Sequence, residues 1–237
     1  MMHALIVLLV ALGPVQAYNQ ANRLYAQKDY AGAATAYEQA LGSGPNAAVE
    51  YNLGNACFKA GKIGRAILNY RRAHYLAPRD PDIAANLDFA RTYRVDKLPS
   101  ASSPFTRAMD VGLHALSHRE AAWLGALGCL LATLLLAAWI VRRWAVCAIA
   151  ALVVAPCAVF AIVTQQVWQG EIADHPAVVV VPEVEALSGP SEESKQILLL
   201  HDGTEVRVRE ARAAYVLVQL SGGSGGWVRE DAIERIY

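Results

Sequence analysis

The chain has 237 residues, 55% hydrophobic and 18% charged, with 21 Lys and Arg against 21 Asp and Glu. That balance argues against a nucleic-acid-binding protein, which needs a cationic excess to displace counterions, and the apolar content excludes disorder along the whole length. The charged fraction also falls below the ~25% usual for soluble domains, which puts part of the chain in lipid. Neutrality is a sum of unlike parts: residues 18–98 carry 11 basic and 7 acidic side chains, residues 170–237 carry 6 basic and 12 acidic, and Arg142 and Arg143 stand between them.

At the N-terminus, Leu5 to Leu12 is an apolar core too short to span a bilayer, and Val15-Gln16-Ala17 supplies a small-residue cleavage site. Residues 1–17 are therefore predicted to be a signal peptide. No Lys or Arg precedes the core, so an uncleaved anchor of the same sidedness is the alternative.

Displacing the chain by 33 residues superposes Asn19 and Asn22 on Asn52 and Asn55, Tyr25 on Phe58, Ala33 on Ala66, Tyr37 on Tyr70, Ala40 on Ala73 and Pro45 on Pro78. This is a repeated helical hairpin. Small residues at Gly54, Ala66 and Ala73 let paired helices approach, aromatics fill the gaps, and proline ends the second helix. With Leu53-Gly54, Phe58, Gly61, Ala66, Tyr70, Ala73 and Pro78 in place, the unit resembles the tetratricopeptide (TPR) repeat; a generic alanine-rich hairpin is the alternative. Asp80-Pro81-Asp82 starts a further helix in which Asn86-Leu87 repeats Asn52-Leu53. About three repeats are usually needed for a stable solenoid, so this helix is expected to cap two repeats and complete an all-α domain at 18–98.

In tetratricopeptide proteins the first helix of each repeat lines a concave groove. The resemblance carries that lining to Tyr18, Asn19, Asn22, Tyr25, Tyr51, Asn52, Asn55, Phe58, Lys59 and Asn86. Asn22 and Asn52 match two positions of the family's carboxylate clamp, whereas Tyr18 replaces its lysine. Asparagine amides beside tyrosine rings suit hydrogen bonding to an extended peptide backbone, although such asparagines also occur in repeats without a ligand.

Residues 99–120 are read as a linker, beginning within the turn-rich Leu98 to Pro104, followed by an amphipathic helix on the membrane surface through Phe105, Met109, Leu113 and Leu116. His114, His118 and Glu120 have metal-ligand spacing on such a helix but lack a nearby third strong ligand, so a solvated face is the simpler reading.

Ala121 to Val141 and Trp144 to Gln166 are apolar runs separated by Arg142 and Arg143. Each is long enough to cross ~30 Å of hydrocarbon as a helix, which predicts a transmembrane hairpin at 121–141 and 144–166. Two core helices of a soluble protein are the weaker alternative. Trp123, Trp139, Trp144 and Trp168 fall near the four ends, as headgroup anchors would, and Pro156 is tolerated within the second span. The arginine pair places its loop in the cytoplasm and both flanking regions on the opposite side. Of the four cysteines, Cys129, Cys147 and Cys157 lie in the spans, leaving Cys57 as a lone buried hydrophobe in the exported regions.

After Gln169 the pattern becomes strand-like. Ala177 to Val181, Gln196 to Leu200, Thr204 to Val208 and Ala214 to Leu220 are predicted strands, with turns at His201-Asp202-Gly203-Thr204 and Ser221 to Gly226. Pro190, Glu192, the HDGTEV turn and Gly226-Trp227-Val228 resemble the bacterial SH3-like domain, implying an all-β SH3-like barrel of four or five strands over 177–237. End to end, with Asn86-Leu87, Phe89-Ala90-Arg91 and Val95-Asp96-Lys97 closing the repeats, the chain is similar to the BatE-like group of the aerotolerance (Bat) proteins. That resemblance implies an inner-membrane scaffold working beside von Willebrand factor A-type Bat proteins and a MoxR-type ATPase. A peptidoglycan-binding envelope sensor acting through the SH3-like domain is the alternative function. No HExxH, GxSxG or metal-spaced Cys cluster is present, so no enzyme, metal or cofactor is expected.

Overall fold

The protein is described from a computed structural model covering residues 13–97 and 104–237. The predicted signal core, Leu5 to Leu12, and residues 98–103 of the predicted linker lie outside the described residues.

Five helices form the N-terminal part: α1 (Pro14–Ala26), α2 (Tyr30–Ala40), α3 (Ala47–Lys59), α4 (Ile63–Leu76) and α5 (Pro81–Arg91), each packed on the next. Helix α1 runs across the predicted cleavage point, and Ala17 is fully buried in its core. Three starts are encoded locally. Asp29, Asn46 and Asp80 each accept main-chain N–H groups of the first turn of α2, α3 and α5, and Pro81 takes the first position of α5. The small residues act as expected: Ala66 and Ala73 are fully buried, and a Cβ on Gly54 would stand 2.6 Å from the Tyr70 ring. Cys57 is buried among these helices, and burial pushes its thiol up to about 11, so it stays protonated.

Helix α6 (Pro104–Leu113) ends before the turn at residues 114–117, and α7 starts anew at His118 under a Ser117–Glu120 capping box. His114 and His118 therefore do not share one helix face, which corrects the sequence expectation. His114 lies edge-on to Trp168 at 4.6 Å, whereas His118 stacks on Tyr75 at 5.9 Å.

Helices α7 (His118–Arg142) and α8 (Ala145–Ala173) pack against each other as a hairpin, with Arg143 in the left-handed region at φ 57° between them. A Cβ on Gly128 would stand 2.8 Å from Ala158 Cβ, so small residues set the close approach inside the hairpin. Both helices are long and apolar enough to cross a membrane, and only 6% and 17% of their most apolar windows is buried. That exposure is the reverse of what a core helix requires. At 1.5 Å per residue they extend about 37 and 43 Å, so α8 outlasts the predicted span and carries residues 167–173 beyond it.

The C-terminal part is one antiparallel sheet of β1 (Pro176–Val179), β2 (Glu183–Leu187), β3 (Gln196–His201), β4 (Glu205–Arg212), β5 (Tyr215–Gln219), β6 (Gly225–Arg229) and β7 (Ile233–Arg235). Its order is β3-β2-β6-β5-β4-β1-β7, and the outer strands β3 and β7 are not paired, so the sheet is not closed. Every strand nevertheless gives at least one side chain to a single core, including Val179, Ala186, Leu200, Val208, Val216, Val228 and Ile233. The sequence expectation of four or five strands missed β2 and β7. Glu183-Val184-Glu185 looks like a solvated turn until the partner strand β3 covers one side, and β7 is only three residues long.

Candidate functional site

The side chains assigned to the groove form a ladder along α1, α3 and α5. Tyr37 donates its hydroxyl hydrogen to Asn22 Oδ1 at 2.6 Å, and the equivalent Tyr70 donates to Asn55 Oδ1 at 2.7 Å. Between helices, Asn52 Nδ2 donates to the Tyr18 hydroxyl at 3.0 Å, and Asn86 Nδ2 donates to the Tyr51 hydroxyl at 2.8 Å and to Asn55 Oδ1 at 3.1 Å. The same two bonds thus recur one repeat apart. Burial raises the Tyr37 hydroxyl to about 12 and takes Tyr70 the same way, so both remain neutral donors at every physiological pH.

An amide offers donors on nitrogen and an acceptor on oxygen. The ladder uses Oδ1 of Asn22 and Asn55 and Nδ2 of Asn52 and Asn86. Among the described residues nothing bonds the opposite atoms, which are nitrogen, oxygen, nitrogen and oxygen in chain order. They leave amide donors on Asn22 and Asn55 and amide acceptors on Asn52 and Asn86, the two kinds of group that an extended peptide backbone bonds.

The other assigned residues divide. Tyr25 lies edge-on to Tyr30 at 5.2 Å, and Phe58 forms a cluster with Phe89 and Tyr93, with ring centroids 5.1–5.5 Å apart. Asn19 and Lys59 are exposed and stand outside the ladder. Phe89 and Tyr93 were not assigned to the groove, yet they are 52% and 55% exposed beside Phe58. Phe89 lies three positions after Asn86 on α5 and Tyr93 follows in the turn after it, a spacing visible in the sequence.

The opposite side of the repeats is closed by the sheet. Glu205, first residue of β4, accepts from Arg91 Nε and Nη2 at 3.0 and 2.9 Å and from Arg94 Nη1 at 2.9 Å. Burial pushes the Glu205 carboxyl up, but the three arginines Arg91, Arg71 and Arg94 outweigh it and hold it below the ordinary value. Asp96 accepts from His201 N at 2.9 Å and Thr204 Oγ1 at 2.5 Å, with His201 Nδ1 at 2.9 Å. Arg65 pairs with Glu234 at 2.9 Å, and Arg72 donates to the carbonyls of Arg235 and Ile236. The basic repeats and acidic sheet seen in the sequence therefore meet charge to charge.

Packing seals this contact. Val178 and Ile236 belong to the helical core cluster, and the Asp202 turn approaches so closely that a Cβ on Gly64 would lie 2.2 Å from the Val179 carbonyl oxygen. Helix α4 has no side-chain cap of its own, because Lys62 occupies that position. Asp202 supplies the missing acceptor to Ile63 N and Gly64 N, a cap lent by a residue far along the chain. The end of α8 joins the same junction: Arg71 pairs with Glu171, and His114 Nε2 stands 3.5 Å from Glu171 Oε2. Trp168, read from sequence as a headgroup anchor, is 1% exposed and donates Nε1–H to the Leu116 carbonyl at 2.9 Å. It is a structural wedge, whereas Trp123, Trp139 and Trp144 are exposed on the hairpin.

No family model matches this chain, and no curated protein matches it significantly.

Proposed function

We propose that this protein is a non-enzymatic, membrane-anchored interaction scaffold, with two tetratricopeptide repeats and a cap presenting a peptide-binding face and an SH3-like domain bracing them from behind. The observation that carries the reading is the set of unbonded amide donors and acceptors on α1, α3 and α5, together with the cluster in which the partly buried Phe58 meets the exposed Phe89 and Tyr93. Amides satisfy the backbone of an extended segment, and the aromatics accept an apolar side chain at its end. On this reading the α7–α8 hairpin spans the inner membrane with Arg142 and Arg143 cytoplasmic, and both outer domains face the periplasm. The end-to-end resemblance names the partners as von Willebrand factor A-type Bat proteins acting with a MoxR-type ATPase. The wall-binding alternative is less favoured, because the HDGT turn of the β-domain is already occupied by Asp96 and the start of α4.

A photo-crosslinking residue placed at Phe89 or Tyr93 of the full-length protein in native membranes tests the face. The expected result is capture of a discrete protein from these positions and none from the exposed Glu210 on β4. Equal capture from all three, or none from Phe89 and Tyr93, overturns the assignment.

A further inference from the structure

Beyond the groove, a cavity of about 600 Å³ opens where the three parts of the molecule meet. Helix α3 contributes Glu50, α4 contributes Arg72 and Tyr75, the first turn of α7 contributes His118 and Arg119, and Tyr237 follows β7. The cavity therefore exists only in the docked molecule.

Glu50 is the feature that needs explaining. It is 6% exposed, and its Oε2 has no hydrogen-bond partner among the described residues, although an unpaired carboxylate oxygen is costly to bury. The same cavity is lined by Tyr75 and Tyr237, whose rings lie 4.6 Å apart, and by His118, which stacks on Tyr75. A buried carboxylate in a cavity that also holds aromatic rings is a site for an ammonium group. Opposite charge is provided in the same cavity. Arg72 is fixed there by its bonds to the Arg235 and Ile236 carbonyls, and Arg119 is exposed at the rim. A ligand that satisfies both halves carries an ammonium and an anion on one short frame.

The position selects the source. Arg119 is two residues before Ala121, the first residue of the predicted span, so the cavity sits at headgroup depth beside α7. We propose that this cavity holds the aminophosphate headgroup of a bilayer lipid, with its ammonium on Glu50 and its phosphate on Arg119 and Arg72, the acyl chains remaining in the membrane. The volume suits a headgroup with its glycerol but not a whole lipid. Burial with partial compensation by Arg72 raises the Glu50 carboxyl to about 7; a bound ammonium returns it to the ionised form. The proposal rests on α7 being a membrane span, which resistance to alkaline extraction establishes separately.

The test is native mass spectrometry of the full chain with phosphatidylethanolamine, phosphatidylcholine and phosphatidylglycerol offered at equal concentration. Retention of phosphatidylethanolamine over the other two by roughly tenfold is expected, since the trimethylated headgroup cannot donate to Glu50 and the glycerol headgroup has no cation. Glu50→Gln should erase the preference for phosphatidylethanolamine over phosphatidylglycerol, and Arg119→Gln should weaken retention of both. An unchanged circular dichroism spectrum confirms that each variant is folded. Equal retention of all three lipids by the unsubstituted protein, or the same preference in Glu50→Gln, overturns the proposal. Displacement of the lipid by micromolar free phosphoethanolamine overturns its lipid source.

Discussion

The two sides of the helical repeats treat their polar groups in opposite ways. Toward the sheet, Arg65, Arg71, Arg72, Arg91 and Arg94 all meet a carboxylate or carbonyl, and even the start of α4 is capped from outside. On the amide face each asparagine is bonded on one side only. A matched surface is finished by the fold itself, whereas half-used amides on an open face keep donors and acceptors available to water or to a ligand. The difference also explains how the five N-terminal helices hold together. The β-domain buries Val178 and Ile236 into their core and so enlarges it.

Removing a charge from the matched side should do the most damage. Glu205→Gln leaves Arg91, Arg94 and Arg71 without their shared partner in a site where Glu205 keeps 20% exposure, so a loss of about 2–4 kcal/mol is expected in chemical denaturation. The pH dependence has the same origin. Glu205 and Asp96 are held below their ordinary values, so their contribution is full above about pH 5 and is lost as pH falls through the ordinary and then the lower folded values. Proteolysis of the junction should rise over that range in the unsubstituted protein and already be high at neutral pH in Glu205→Gln.

The cavity carboxylate behaves with the opposite sign. Burial raises Glu50 from 4.5 to about 7 against the pull of Arg72, so the folded state keeps a proton that the unfolded chain has lost, and stability declines as pH climbs between those values. Glu50→Gln in delipidated protein should therefore gain up to about 3 kcal/mol at pH 8 and match the original protein at pH 4. Equal stability of the two at pH 8 would show that the carboxylate is not held in an apolar setting.

The smallest effects on folding are expected on the amide face, and they separate its two halves. Asn55→Ala strips the acceptor from Tyr70, which is 2% exposed, and from Asn86, at a cost of about 1–2 kcal/mol. Phe89→Ala and Tyr93→Ala change exposed rings and should cost under about 1 kcal/mol while removing partner capture. A capture assay alongside thermal melts distinguishes the two classes. If Phe89→Ala and Tyr93→Ala leave capture intact, the aromatic end is ordinary surface and the contrast between the two sides fails.

What was legible in the sequence follows from the range over which each signal acts. The 33-residue repeat, the two apolar runs and the strands at Gln196, Glu205 and Tyr215 rest on local periodicity, and each appears within a few residues of its expected place. Strand β2 was hidden, because an alternating Glu-Val-Glu segment is half solvated and becomes a strand only by pairing with β3. The polar residues of the first helices lie on α1, α3 and α5, but their bonds were not foreseeable, since Tyr18 meets Asn52 and Tyr51 meets Asn86 only after the helices stack.

By itself, then, the sequence determined the N-terminal helices, the presence of two long apolar helices and the opposite charges of the helical and β parts, because composition and periodicity within a segment settle these. Tertiary structure alone decided that Trp168 is a wedge and not an anchor, that Asp202 caps α4, and that Glu50 faces a cavity walled by three separate parts of the chain. Those roles belong to contacts between residues tens to more than a hundred positions apart, and a polar group's partner, or its lack of one, exists only once such contacts have formed.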